Sequence, residues 1–305
     1  MSLLNPDAFT FGVLSRARTP SVLLYGPPGT GKTLLVRALA KHTKATMITL
    51  TEADVRSRYV GDGQKMIQRV FANARKNHPC IIFIDEADSI FASRLEDNTV
   101  KSHNCDINQF LVEIDGIKTS RTRSPMVIAA TNRPFALDEG ILRRLGTRIL
   151  IDVPELAARE KILAIHLKEE PLADDVKLEE LAAATPDYTG SDLSEFVRAA
   201  SWYAELDNLD RMGLRTTSPG PEVMLSKTQT PPSESPPGKN NNISRRLTSR
   251  VHFLRAKDDI RPAPISDTVA KIRDFHNKYG TTGSESRASN RRSGVITKTK
   301  PPITS

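Results

Sequence analysis

Short apolar runs and longer amphipathic stretches take turns over the first half of the chain. Val22 to Tyr25, Thr46 to Leu50, Cys80 to Ile84, Met126 to Ala130 and Arg148 to Val153 have the length and residue content of strands. Between them, Leu34, Leu35, Ala38 and Leu39 predict the inner face of one helix. Met66, Ile67, Val70, Phe71 and Ala74 predict that of a second, and Ile107, Phe110, Leu111 and Ile114 that of a third. Cys80 to Ile84 is apolar at every position, as expected of a parallel strand covered on both sides. Strands alternating with helices predict an α/β fold, a five-stranded parallel sheet with helices on both faces.

Beyond Pro154 the strand pattern stops. Ile162, Leu163 and Leu167, then Leu178 and Leu181, then Leu193, Phe196, Val197 and Ala200 recur at helical spacing and predict a small all-helical unit. The expected organisation is an α/β core over residues 1–153, in which 1–19 add a short helix beneath the first strand, and a helical lid over 154–211. A flexible Pro/Ser-rich insertion follows over 212–246. Residues 247–280 form a C-terminal helical segment in which Val269, Ile272, Phe275 and Tyr279 share a face, and 281–305 a disordered basic tail.

Composition narrows the class. The chain has 305 residues, 38% of them apolar, enough for a core over part of its length. Its net charge of +8 belongs to the tail, since Lys and Arg number 18 against 8 acidic residues from Asp210 onward. No aromatics interleave with the charges between Arg287 and Lys300, so the tail reads as a solvated segment and nucleic acid is not expected as a partner. Cys80 and Cys105 lack partners at metal-ligand spacing, which suits a reducing compartment. No run approaches the length of a membrane span and Met1 to Arg18 lacks the order of a secretory signal, so a soluble chain is expected.

Candidate chemistry begins at Gly26-Pro27-Pro28-Gly29-Thr30-Gly31-Lys32-Thr33, set between the first strand and a helix-period run from Leu34. A triphosphate needs backbone N–H donors, a mobile cation and a hydroxyl for Mg²⁺. The glycines allow close backbone approach, the helix N-terminus faces the anion, Lys32 reaches the β- and γ-phosphates and Thr33 serves the metal. Ile81 to Asp88 then places acids at the C-terminal end of an apolar strand, the edge where an open parallel sheet binds ligands. Asp85 is expected to hold Mg²⁺ through water, and Glu86 to orient and deprotonate an attacking water. Asn132 ends another strand, where it can bond the γ-phosphate or the lytic water, although Thr131-Asn132 alone is ordinary turn chemistry. Arg143 and Arg144 suit the spread charge of a phosphoryl-transfer transition state.

In this order and spacing, the phosphate loop, Ile81 to Asp88, Asn132, the Arg pair and Tyr188-Thr189-Gly190-Ser191-Asp192-Leu193 resemble the AAA ATPases, with a P-loop NTPase core. Phe135-Ala136-Leu137-Asp138, Leu142-Arg143-Arg144-Leu145 and Asp274 to Gly280 look most like the group of spastin, katanin and the mitochondrial outer-membrane protein extractases. The resemblance implies ATP and Mg²⁺, with nucleotide contacts from Gly26 through Leu34, Asp85, His166, Gly190 and Ser191. It implies a nucleotide-dependent homo-oligomer, a hexamer in the family, with Arg144, and Arg143 as runner-up, acting on a neighbour's nucleotide. Arg58-Tyr59-Val60-Gly61 looks like the pore loop that grips a protein substrate, with Tyr59, Val60 and Gly61 as contacts. The segment ending at Gly280 is expected to pack back on the lid.

Departures matter as well. Thr147 replaces a further basic residue, and the helix that normally walls the adenine has no counterpart, so an adenine pocket open on one side is expected. The functional expectation is ATP hydrolysis coupled to unfolding, extraction or remodelling of a protein threaded through a pore. The alternatives are a complex-disassembling or microtubule-severing remodeller and a weakly active ATP-binding subunit. A cytoplasmic or mitochondrial location follows from resemblance alone.

Overall fold

The computed structural model describes residues 21–55, 61–92, 101–117, 124–212, 246–262 and 266–281. The chain divides into one unit of Met1–Asp152 with Ile265–Ser305 and a second of Val153–Pro264. In the first unit β1 (Val22–Tyr25) leads to α1 (Lys32–Thr43), β2 (Thr46–Leu50), α2 (Glu52–Val55) and α3 (Asp62–Lys76). Then come β3 (Cys80–Ile84), α4 (Ala87–Ile90), α5 (Lys101–Ile117), β4 (Met126–Thr131), α6 (Glu139–Arg144) and β5 (Thr147–Leu150).

All neighbouring strands are parallel, in the order β2-β3-β4-β1-β5. This puts the C-terminal ends of β3, β4 and β1 side by side, and these are the ends carrying the acids, Asn132 and the phosphate loop. The strands are covered on both faces because their residues alternate between two cores. Leu23, Tyr25, Ile82, Ile84, Val127 and Ala129 face the core shared with Ile67, Phe71, Ile107 and Phe110 of α3 and α5. Val22, Leu24, Ile81, Phe83, Ile128 and Ala130 face Val36 and Ala40 of α1.

Two expectations are corrected. Leu34 and Leu35 are not the inner face of α1; they are 70% and 47% exposed, and the buried positions are Lys32, Val36 and Ala40. These three lie four residues apart, so turning Lys32 into the loop fixes which stripe meets the sheet. The 247–280 segment is also divided. Helix α10 (Arg250–Asp259) joins the second unit, whereas α11 (Ser266–Tyr279) belongs to the first and packs on its α/β sheet. Ile272 and Phe275, one turn apart, enter the sheet's larger core, and the Phe275 ring meets Tyr25 edge-on at 5.2 Å. The apolar stripe on α11 thus completes a face that α3, α5 and α6 leave open.

The second unit comprises α7 (Leu156–His166), α8 (Leu178–Ala184), α9 (Gly190–Arg211) and α10. Leu163, Leu167, Leu181, Leu193, Phe196, Val197 and Phe253 form its core. Arg159 is buried there, with its guanidinium donating to the carbonyls of Ala182 and Pro154. No helix among the described residues is long and apolar enough to cross a membrane. The expected helix within 1–19, the insertion, the tail beyond Thr281, and Tyr59 and Val60 of the pore loop lie outside the described residues.

Candidate nucleotide site

The phosphate loop leaves β1 through Gly26, whose φ is +157°. A Cβ built there would lie 1.9 Å from the Ile151 carbonyl oxygen. No side chain fits, because Ile151 N also donates to Tyr25 O at 2.8 Å and holds the two chain segments together. Gly31 caps α1 at φ +90°, in the left-handed region that costs other residues strain. Lys32 folds over the loop, donating from Nζ to the carbonyls of Gly26 at 3.0 Å and Pro27 at 2.7 Å.

Burial lowers the Lys32 ammonium from 10.5 to about 8, against the opposing pull of the Asp85 and Asp88 carboxylates. A bound triphosphate stabilises the charged form, so binding takes up a proton wherever the free site is partly neutral. Nucleotide affinity is therefore expected to weaken as pH rises through about 8. Calorimetry near that pH, in buffers of different ionisation enthalpy, should report net proton uptake on nucleotide binding. Buffer-independent enthalpies would contradict the neutral fraction.

Thr33 Oγ1 donates to Asp85 Oδ2 at 2.8 Å, joining the start of α1 to the end of β3. A hydroxyl beside a carboxylate is a hard-oxygen pair suited to Mg²⁺. Among the described residues no cluster of three or more His, Cys, Asp or Glu could hold a metal. Mg²⁺ held here would take further ligands from phosphate oxygens and water. Glu86, the next residue, is exposed and left-handed at φ 49°, ψ 48°, a strained conformation for a residue with a side chain. That backbone turns the chain from β3 into α4.

Beside it, Thr131 Oγ1 donates to Asp88 Oδ1 at 2.6 Å and accepts from the Arg133 N–H at 2.9 Å. The residues on either side of Asn132 are thereby fixed. Asn132 Oδ1 is buried with no hydrogen-bond partner among the described residues, an unmet need that a ligand or water would fill. Asp88 and Thr131 were not assigned from sequence; their only signal was position at the ends of adjacent strands.

The two arginines of α6 differ. Arg144 is held by Asp115 at 2.9 Å and 3.3 Å and by the Gly140 carbonyl at 3.4 Å. Among the described residues Arg143 pairs with Glu139 alone, one turn away at 3.3 Å, with the two side chains 75% and 86% exposed. Beside Arg143 lies a groove of about 750 Å³, whose apolar lining includes Phe135, Leu142, Phe275 and Tyr279.

The remaining predicted residues are on other elements. Leu34 is exposed on α1, and Gly61, at φ 93°, caps α3. In the second unit His166 is exposed at the end of α7 and Gly190 and Ser191 open α9. There Thr189 and Asp192 form a reciprocal cap, with Thr189 N donating to the Asp192 carboxylate at 2.8 Å. The Ser191-Asp192-Leu193 motif thus has a structural use, since Asp192 starts the helix and Leu193 enters the unit's core.

Residues 22–153 match the model of the ATPase family associated with various cellular activities. The chain is 41% identical over 214 residues to a proteasome-activating nucleotidase of Methanocella arvoryzae, covering 69% of this chain and 50% of that protein. It is 40% identical over 200 residues to spastin of Danio rerio, covering 65% of this chain and 34% of that one. The crystal structure of the FIGL-1 AAA domain in complex with ADP superposes with a TM-score of 0.71 at 28% identity, covering 92% of this chain and 84% of that one. The chain spans half or less of the length of these two curated relatives. With the phosphate loop on the sheet edge, the acids at the end of β3 and this agreement in sequence and fold, residues 22–153 carry an AAA ATPase domain, similar to those of spastin and FIGL-1.

Proposed function

We propose that the chain uses ATP hydrolysis at an intersubunit site to unfold, extract or remodel a protein substrate drawn through the pore of a hexameric homo-oligomer. The observation that carries the hydrolytic part is the meeting of Lys32, the Thr33–Asp85 bond and Glu86 on one sheet edge. Lys32 exchanges its loop carbonyls for phosphate oxygens and neutralises charge on the transferring group. Thr33 and Asp85 would hold Mg²⁺, which when bound would supply neutralisation of the phosphate charge. Glu86 orients a water and accepts its proton, and Asn132 offers its amide to the γ-phosphate or to that water.

Arg143 completes the site of a neighbouring copy, while Arg144 braces α6 against Asp115. An exposed ion pair one helical turn apart is worth about 0.5 kcal/mol or less, so Arg143 leaves Glu139 at little cost when phosphate oxygens are offered. Tyr59 and Val60, followed by Gly61, would grip the substrate, an aromatic ring contacting polypeptide with little sequence preference. The similarity to spastin supports a second reading, in which the same motor disassembles a polymer or complex. Tyr59→Ala tests the coupling: it is expected to abolish processing of a protein substrate while most of the ATPase rate survives. Equal processing by the variant would end the threading model.

A further inference from the structure

The phosphate loop has a support that its motif does not include. Tyr25, the last residue of β1 and the one before Gly26, is fully buried. Its hydroxyl lies 2.6 Å from His276 Nδ1 on α11, a residue 251 positions away in sequence. Its ring lies edge-on to Phe275, one residue earlier on the same helix, at 5.2 Å. Burial pushes the Tyr25 hydroxyl up to about 12, so it stays a neutral donor at any physiological pH.

Helix α11 is itself fastened at several points. Arg148 of β5 donates its backbone N–H to Thr281 Oγ1 at 2.9 Å, and its carbonyl accepts from Thr281 N at 3.0 Å. The Arg148 guanidinium donates to the carbonyls of Tyr279 and Leu142 and lies over the Tyr279 ring, 5.7 Å from its centre. Arg273 pairs with Asp152, just past β5, at 3.3 Å. The helix is thus fastened to β5, and His276 is the side chain it places against the Tyr25 hydroxyl.

We propose that His276 is a positioning residue for nucleotide binding, acting through Tyr25. A buried hydroxyl without a partner is costly, so loss of His276 frees the Tyr25 ring to move toward another partner. Movement at Tyr25 displaces the Gly26 carbonyl, which accepts the Lys32 ammonium. The loop would then fit phosphate less well before any chemistry begins. The effect belongs to binding, because neither residue touches Glu86 or the attacking water.

The test measures ATP turnover and ADP binding by the full chain, together with thermal stability, for Tyr25→Phe, His276→Ala, His276→Asn and the Tyr25→Phe/His276→Ala double variant. Each of the first two is expected to raise KM for ATP, and to weaken ADP binding, about fivefold with kcat nearly unchanged. His276→Asn, whose amide can replace Nδ1, should recover most of the loss. The double variant should be no worse than the weaker single, as for two groups acting through one contact. A drop in melting temperature with KM unchanged, no recovery by His276→Asn, or additive losses in the double variant would overturn the proposal.

Discussion

Glu86→Gln is expected to stop phosphate release while leaving ATP bound. The side chain is exposed at the end of β3, where its carboxylate can meet a water beside a phosphate held by the adjacent loop. Gln keeps the length and the hydrogen-bonding oxygen but accepts no proton. Loss of a general base costs about a hundredfold to ten-thousandfold in rate. Binding should survive because Lys32, Thr33 and the loop backbone are untouched, and the left-handed backbone at φ 49° is no harder for Gln than for Glu. Measured together, phosphate release and nucleotide affinity separate the outcomes. Equal rates in the variant and the unmodified chain would remove Glu86 from the mechanism.

Arg143→Ala is expected to have an effect of similar size, for a different reason. An arginine reaching a neighbour's transition state is worth about a thousandfold or more in turnover. Among the described residues only the exposed Glu139 pair holds Arg143, so stability should hold. Arg144→Ala should behave differently, lowering the melting temperature as Asp115 and the Gly140 carbonyl lose their partner. If Arg144→Ala removed turnover without loss of stability and Arg143→Ala did not, the roles of the two would be reversed.

The parts legible in the sequence are those whose chemistry is local. A strand, a glycine-rich turn and a lysine at a helix start specify a phosphate loop within about a dozen residues, and the apolar run of β3 specifies a buried strand with acids at its end. The inner face of α1 was misread because Leu34 and Leu35 are apolar. The rotation of that helix is set instead by burying Lys32, which carries Val36 and Ala40 to the sheet. The place of α11 was hidden because an Ile272–Phe275 stripe fits either unit; only the gap left on the sheet decides it. Likewise Asp88 meets Thr131 and Tyr25 meets His276 across 43 and 251 residues, pairings that only the strand order and the docked helix create. The Ser191-Asp192-Leu193 motif was legible as a landmark, but its cap with Thr189 required the backbone.

A site divided between subunits is tested most directly by mixing two inactive proteins. Glu86→Gln subunits retain Arg143, and Arg143→Ala subunits retain the whole of their own sheet edge. In a randomly assembled equimolar mixture, roughly a quarter of the interfaces unite an intact Glu86 with a neighbour's intact Arg143. Phosphate release by the mixture should therefore rise to about a quarter of the unmodified rate, far above either variant alone. A mixture no faster than the mean of its two components would show that Arg143 does not serve a neighbouring subunit.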